Sequence, residues 1–439
     1  MTDAIVREEP PPPARQGIQL GQLVRSLEVD TRQLGMIGLL AVIWIGFNIA
    51  SNGNFITARN LWNLSVQSAS IGIMATGMVL IIVSRNIDLS VGSVLGFVGY
   101  TMAILQAEWI PNALGLGFDQ PYTWIVTVLV GLVLGAFIGG VQGVIIAYGG
   151  VPSFIVTLGG LLVWRGLIFR YAQGQSMGPM DSTYQLLGGG PRGAMGDVLS
   201  WALALLACAG IAYTMWAGRR RRRRYGFPLR PMWAEVVVGG VSMAAVLGVV
   251  WVFNSYAWPP SLATQYAVEH GITEPPGGLI IATGVAFPVV IMLGVGLVMT
   301  YIATRRRFGR YVYAIGGNPE AAELGGINVR RTITLTFVLM GMLCAVSAAV
   351  QTARLNLAVT GLGVQNELDV ISAAVIGGTS FAGGIGTIPG AILGAVVMQS
   401  LRSGMAMINV DSPTQDIVVG AVLVTAVGVD AWLRRRSGS

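Results

Sequence analysis

The stretch LSVQSASIGIMATGMVLIIVS (residues 64–84), followed by RNID (85–88) and LSVGSVLGFVGYTMAILQ (89–106), decides what kind of protein this is. Two apolar runs are separated only by these four residues, three of them polar, and each is about as long as the ~20 residues a helix needs to cross a bilayer. The rest of the chain repeats the pattern. Hydrophobic residues make up 54% of the 439 and charged residues 11%, against about 25% charged in soluble domains. One domain core cannot hide that much apolar surface, so the remainder faces lipid.

Working outward from 64–106, further spans are predicted at 34–52, 122–148, 151–171, 198–218, 233–254, 279–303, 332–352, 368–381, 389–405 and 415–433. The fold class is therefore an all-α integral membrane protein, a polytopic helical bundle of about twelve transmembrane helices. Segment 368–381 is too short and too glycine-rich for a full crossing. It and the 64–106 pair mark places for a broken or re-entrant helix, tolerable only where other helices bury the backbone. Residues 1–33 read as a disordered cytoplasmic arm without the order of a secretory signal, 34–433 as the membrane domain and 434–439 as a basic cytoplasmic tail.

All 27 basic residues are arginine. With no lysine, the chain lacks the phosphate-binding lysine of a Walker A loop and cannot form a lysine Schiff base. If ATP is used, another chain binds it. The arginines also orient the bundle. With the N-terminus inside, 21 fall on the inner side, leaving Arg59, Arg165, Arg170, Arg192, Arg354 and Arg402 in outer loops or near outer span ends. Both termini are thus expected in the cytoplasm. The run 219–224 lacks the interleaved aromatics of a nucleic-acid platform and reads as an anchor beside anionic lipid, so no nucleic-acid partner is implied. Cys208 and Cys344 lie in apolar runs and His270, the single histidine, in a polar loop. No disulfide framework, metal site or proton relay follows.

Gly131, Gly135, Gly139 and Gly143 recur every four residues along one span, as do Gly386, Gly390 and Gly394 near the C-terminus. Small residues at this spacing let helix backbones approach closely in lipid. They serve packing within one bundle, or a dimer interface, or faces that slide during gating. Ionisable residues inside spans mark function. Asp88 and Ser90 stand at the join between two spans, and Asn366 and Asp369 lead into the glycine-rich segment. Asp88 and Asp369 fit two roles, hydrogen-bonding a polyhydroxylated solute or capping a broken helix. Acids within the spans are too scarce for a proton-coupled pump.

The inner loop between the spans at 279–303 and 332–352 is the most informative stretch. Asn318, then Pro319 as first helical residue and Glu320 and Glu323 in the first turn, predict a helix start. Gly325 and Gly326 predict its stop. The short helix would present Ala321, Ala322 and Leu324 to a soluble partner. Lying in the lipid interface is the other reading, weakened by its two acids.

This loop, with the segments at 87–92, 151–159 and 373–394, resembles the inner-membrane permease subunit of ATP-binding-cassette importers for monosaccharides, the ribose, xylose and galactose group. The resemblance implies a ten-span core. Residues 193–277 depart from the shorter ribose-type pattern as a two-span insertion that looks like the xylose-type branch, implying D-xylose as substrate. It further implies that Asn318, Pro319, Glu320, Ala321, Ala322, Glu323, Leu324 and Gly326 form the coupling motif. Its partner would be an ATPase, in this group often one polypeptide with two nucleotide-binding halves, which carries the ATP and Mg; this chain binds no cofactor. A periplasmic sugar-binding protein, a homodimer of the permease, the bacterial inner membrane and alternating access are implied with it. Two other classes compete. An ion-coupled secondary sugar transporter would need more membrane acids, and a membrane enzyme would need an acid–base pair or nucleophile that the chain does not offer.

Overall fold

The computed structural model describes residues 31–437, with side chains from 33 to 428. The predicted arm at 1–33 lies almost wholly outside the described residues. The side chains of the predicted tail do as well, although the last helix carries the backbone to Ser437.

The chain is helical, and among the described residues extended pairing is confined to four isolated bridges. In order, the helices are α1 (Thr31–Ala50), α2 (Ala58–Val83), α3 (Val91–Ile104), α4 (Thr123–Ala147), α5 (Ser153–Ala172), α6 (Gly196–Arg224), α7 (Met232–Asn254) and α8 (Pro260–Glu269). Then follow α9 (Phe287–Arg305), α10 (Arg307–Gly317), α11 (Pro319–Leu324), α12 (Val329–Leu355), α13 (Asn366–Ile376), α14 (Ile388–Met407) and α15 (Ser412–Ser437). Nine of the described helices, α1–α7, α9 and α12, are long and apolar enough to cross a membrane. The other three predicted spans fall on α13, α14 and α15.

Several boundaries differ from the expectation, four of them for a reason visible in the structure. Helix α3 runs on as a π-helix over Leu105–Ala113 that holds Pro111, and the wider π register accommodates a residue with no backbone N–H. Helix α6 continues through the arginine run to Arg224. Arginine is a good helix former, and its charge suits a helix C-terminus. Helix α9 begins at Phe287, with Pro288 in its first turn, instead of at 279. Ala282, Gly284 (φ +76°) and Ala286 stay outside the helix and bridge to Ala257, Gly196 and Ala194, which ties the insertion to the core. Helix α13 spans only 11 residues before the chain turns into the glycine-rich loop at 377–387.

Helix α2 is the axis of the bundle. Its apolar window is 94% buried, whereas that of α1 is 6% buried. Helices α9, α12, α13 and α14 surround it, and Ser70 and Ser347 hydroxyls join α2 to α12 at 2.6 Å. The most extensive contact among the described residues is α4 on α12; three glycines of the stripe make it, while Gly131 meets Met102 of α3. Gly135 faces the Gly341 carbonyl, Gly139 that of Phe337, and Gly143 the backbone of Thr334. Gly390 and Gly394 likewise meet the carbonyls of Gly377 and Ala373. These close approaches are internal to one chain. Gly135→Leu should therefore lower the stability of the detergent-solubilised protein by about 2 kcal/mol through overpacking. Gly210→Ala, with nothing within 4 Å of the added carbon, should not. Equal thermal unfolding midpoints for the two variants would contradict this account of the stripe.

The inserted pair α6–α7 lies at the periphery. Its helices pack on each other, and α7 touches α2. Arg219 and Glu235 pair across them at 2.7 Å, and Tyr256 stacks near Trp62 of α2 with ring centres 5.4 Å apart. His270 lies exposed in the turn that ends α8, its ring stacked on Tyr266.

Candidate functional site

The chain between α9 and α12 folds into two consecutive helices, of which the sequence signals foretold only the second. Helix α10 is amphipathic. Gly309, Val312, Ile315 and Gly316 are buried, while Arg310, Tyr311 and Ala314 face out. Helix α11 starts where the Asn-Pro signal places it. The Asn318 side chain accepts from the Ala321 N–H at 3.0 Å, an N-cap bond that satisfies one orphan donor. Gly325 caps its end, and Gly326 adopts φ +81°, a conformation that suits glycine.

The exposed face of α11 differs from the expected one. Ala322 is buried and anchors the turn, so it is not presented. Glu320, Ala321, Glu323 and Leu324 are exposed, and Leu324 stands 91% exposed at the tip. A large aliphatic side chain left so bare, between two carboxylates and a Gly-Gly stop, does nothing for this chain's own core.

Three bonds bolt this element to the membrane helices. Arg85, just past the end of α2, donates from Nε to the Gly316 carbonyl at 2.8 Å and from Nη2 to that of Gly317 at 2.7 Å. Its backbone sits at φ +62°, a left-handed position costing about 1 kcal/mol for a side-chain-bearing residue, which the two guanidinium bonds help to hold. The Tyr313 hydroxyl donates to the Gly386 carbonyl at 2.6 Å. Burial pushes this phenol above its ordinary range, so it stays a neutral donor. The Gly384 N–H closes the ring by donating to Val83 at 3.0 Å. Gly316 fits here because the Val83 carbonyl and the Gly384 N–H occupy the space a Cβ would need.

From Arg85 the chain leads directly into a buried polar group. Asp88 Oδ1 accepts from the Ser90 N–H at 2.9 Å and from its hydroxyl at 2.6 Å, and Ser90 is the N-cap of α3. The Ser90 hydroxyl also reaches Gln142 Oε1 of α4 at 3.1 Å. Beyond it, the Glu367 carboxylate and the Gly363 carbonyl lie against Gly92. Arg165 of α5 donates to the Leu362 carbonyl in the same loop at 2.9 Å. Gln142 Nε2, Ser93 Oγ, Asn366 Nδ2 and Glu367 Oε2 are buried without a protein hydrogen-bond partner.

The four singled-out polar residues thus separate. Asp88 and Ser90 are bonded to each other, and Asn366 begins α13 beside Glu367. Asp369 stands apart from the cap of its helix. Its carboxylate binds Arg402 of α14 at 2.8 Å, and Arg402 also holds Asp416 of α15 at 3.3 Å. Sequence reading missed Gln142, Arg165, Glu367 and this three-helix ion chain. The scarcity of charge within spans could have flagged the charged members, whereas Gln142 carries no such signal.

Residues 60–427 match the family model described as branched-chain amino acid transport system / permease component. The chain is 39% identical over 404 residues to the xylose transport system permease protein XylH of Escherichia coli strain K12, covering 92% of each. It is 34% identical over 403 residues to XylH of Haemophilus influenzae, covering 91% of this chain and 96% of that one. The ribose import permease protein RbsC of Escherichia coli strain K12 is 32% identical over 398 residues, covering 91% of this chain and 93% of its own length. No solved structure matches the chain with significance.

Proposed function

We propose, from the premise that this chain belongs to the branched-chain amino acid transport system / permease component family, that it is the D-xylose permease of an ATP-binding-cassette importer. It is a multi-pass inner-membrane permease subunit of a sugar importer, and such subunits are non-catalytic. The finer reading concerns substrate, partners and movement. D-xylose is favoured because the XylH proteins share more identity with the chain than RbsC does, over nearly the full length.

The observation that carries the mechanism is α11, a capped helical turn with an exposed Leu324 flanked by Glu320 and Glu323. A separate ATPase, holding ATP and Mg, docks there, and a periplasmic sugar-binding protein delivers the solute to the opposite end of a homodimer. The arginine distribution supports twelve crossings with both termini cytoplasmic, and in that topology α11 lies on the ATPase side, beside the inner arginines. Movement of α11 passes through α10 and the Arg85 bonds to the turn at Asp88. There Ser90, Gln142, Asn366 and Glu367 offer hydrogen bonds to a passing polyhydroxylated solute. Buried polar atoms without protein partners cost about 1–3 kcal/mol each, and a solute path is a reason for the fold to bear them. Asp369 contributes by holding α13 to α14.

The test is uptake of labelled D-xylose into proteoliposomes holding this chain with its cognate ATPase and binding protein. ATP-dependent uptake is expected, with no uptake from the permease alone. Uptake by the isolated chain under a proton or sodium gradient would instead establish the secondary-transporter reading.

A further inference from the structure

Where α9 ends and α10 begins, a cavity of about 770 Å³ opens between them and α12. Arg305, Arg306, Arg307 and Arg310 line one part of it. None of the four pairs with a carboxylate among the described residues, and the only aromatic partner is Tyr301, whose ring lies 5.1 Å from the Arg306 guanidinium. The opposite wall is Leu335, Val338, Leu339 and Met342 of α12. Their spacing of three, four and seven residues aligns them on one face of a helix, an apolar stripe about 10 Å long at 1.5 Å per residue. Leu335 is exposed and the other three are half-buried.

Four guanidiniums without a carboxylate partner beside an apolar stripe define what fits. An inorganic anion would leave the stripe uncovered, and a neutral lipid would leave the arginines without a counter-charge. We propose that this cavity is a binding site for an anionic phospholipid such as phosphatidylglycerol, its phosphate held by Arg305–Arg307 and Arg310 and one acyl chain laid along Leu335–Met342. Guanidinium forks match phosphate oxygens two at a time. The site differs from a general positive-inside anchor because it pairs the charge with a groove between three helices. Arg307 and Arg310 belong to α10, the helix that leads into α11, so the bound lipid steadies the element on which coupling depends.

The experiment uses the intact chain in nanodiscs carrying trace phosphatidylglycerol or phosphatidylcholine with a photoreactive acyl chain, followed by peptide mapping. The phosphatidylglycerol probe should label the peptide containing Leu335–Met342 about tenfold more than the phosphatidylcholine probe, each arginine near an anionic surface adding attraction. Raising the ionic strength should reduce that preference in the unmodified protein. R305Q/R306Q/R307Q/R310Q should remove it, while labelling elsewhere is retained. Equal labelling by the two probes, or a preference that survives loss of the four arginines, would overturn the proposal. So would loss of labelling on adding the ATPase, which would make these arginines part of the protein interface. None of these outcomes depends on which sugar is carried.

Discussion

Leu324→Asp is expected to leave the permease folded and to abolish ATP-driven uptake. The side chain is 91% exposed, so its removal touches no internal contact, and stability should change by no more than about 0.5 kcal/mol. At an interface the same side chain would be a central apolar anchor. Replacing it with a charge should cost the ATPase complex at least about 2 kcal/mol, roughly thirtyfold in affinity. Glu320→Arg should act in the same direction by reversing charge at the helix N-terminus, where a carboxylate is favoured. Pull-down of the ATPase, with the thermal unfolding midpoint measured in parallel, separates the two effects. Wild-type ATPase binding by both variants would remove α11 from the coupling role.

The second large effect lies within the bundle. Arg402 sits between Asp369 and Asp416, and its side chain is 19% exposed while that of Asp369 is 6% exposed. Arg402→Leu strands a carboxylate in a low-dielectric environment and should cost about 3 kcal/mol or more. Combining it with Asp369→Leu should recover most of that loss, because removing both members of a buried pair is often neutral. Asp416 is 31% exposed at the start of α15 and can remain solvated. Unfolding midpoints of the two single variants and the double variant form the cycle. Additive losses in the double variant would show that the pair is not coupled.

Much of the fold was legible because hydrophobic length and arginine placement act locally. Most predicted spans coincide with helices to within a few residues, and the Asn318–Pro319 start and Gly325–Gly326 stop bracket α11 as the capping rules require. The misplacements share a cause. Pro288 already disfavours a helix running on from 279, and bridges from Ala257, Gly196 and Ala194, remote in sequence, hold 282–286 outside it. Ala322 could not be told from Ala321 by composition. Burial depends on which side of a single turn meets the neighbouring helix.

The glycine stripes show the same division. Their four-residue spacing announced close helix packing, but not the partner. The carbonyls of Gly341 and Phe337 lie some 200 residues away in the chain, and only the assembled bundle brings α12 against α4. Likewise Asp369 and Arg402 were visible as rare charges within spans, while their ion pair was not.

By itself, then, the sequence determined that this is a membrane bundle without its own nucleotide-binding lysine, and it bracketed the capped turn from Asn318 to Gly326. Those properties reside in short runs of chain, where hydropathy, charge and capping suffice. The tertiary structure alone decided which side chains face outward, which charges neutralise one another, and how Arg85 joins the coupling turn to the polar interior. Those depend on contacts between distant segments, for which no local energy term exists until the helices have packed.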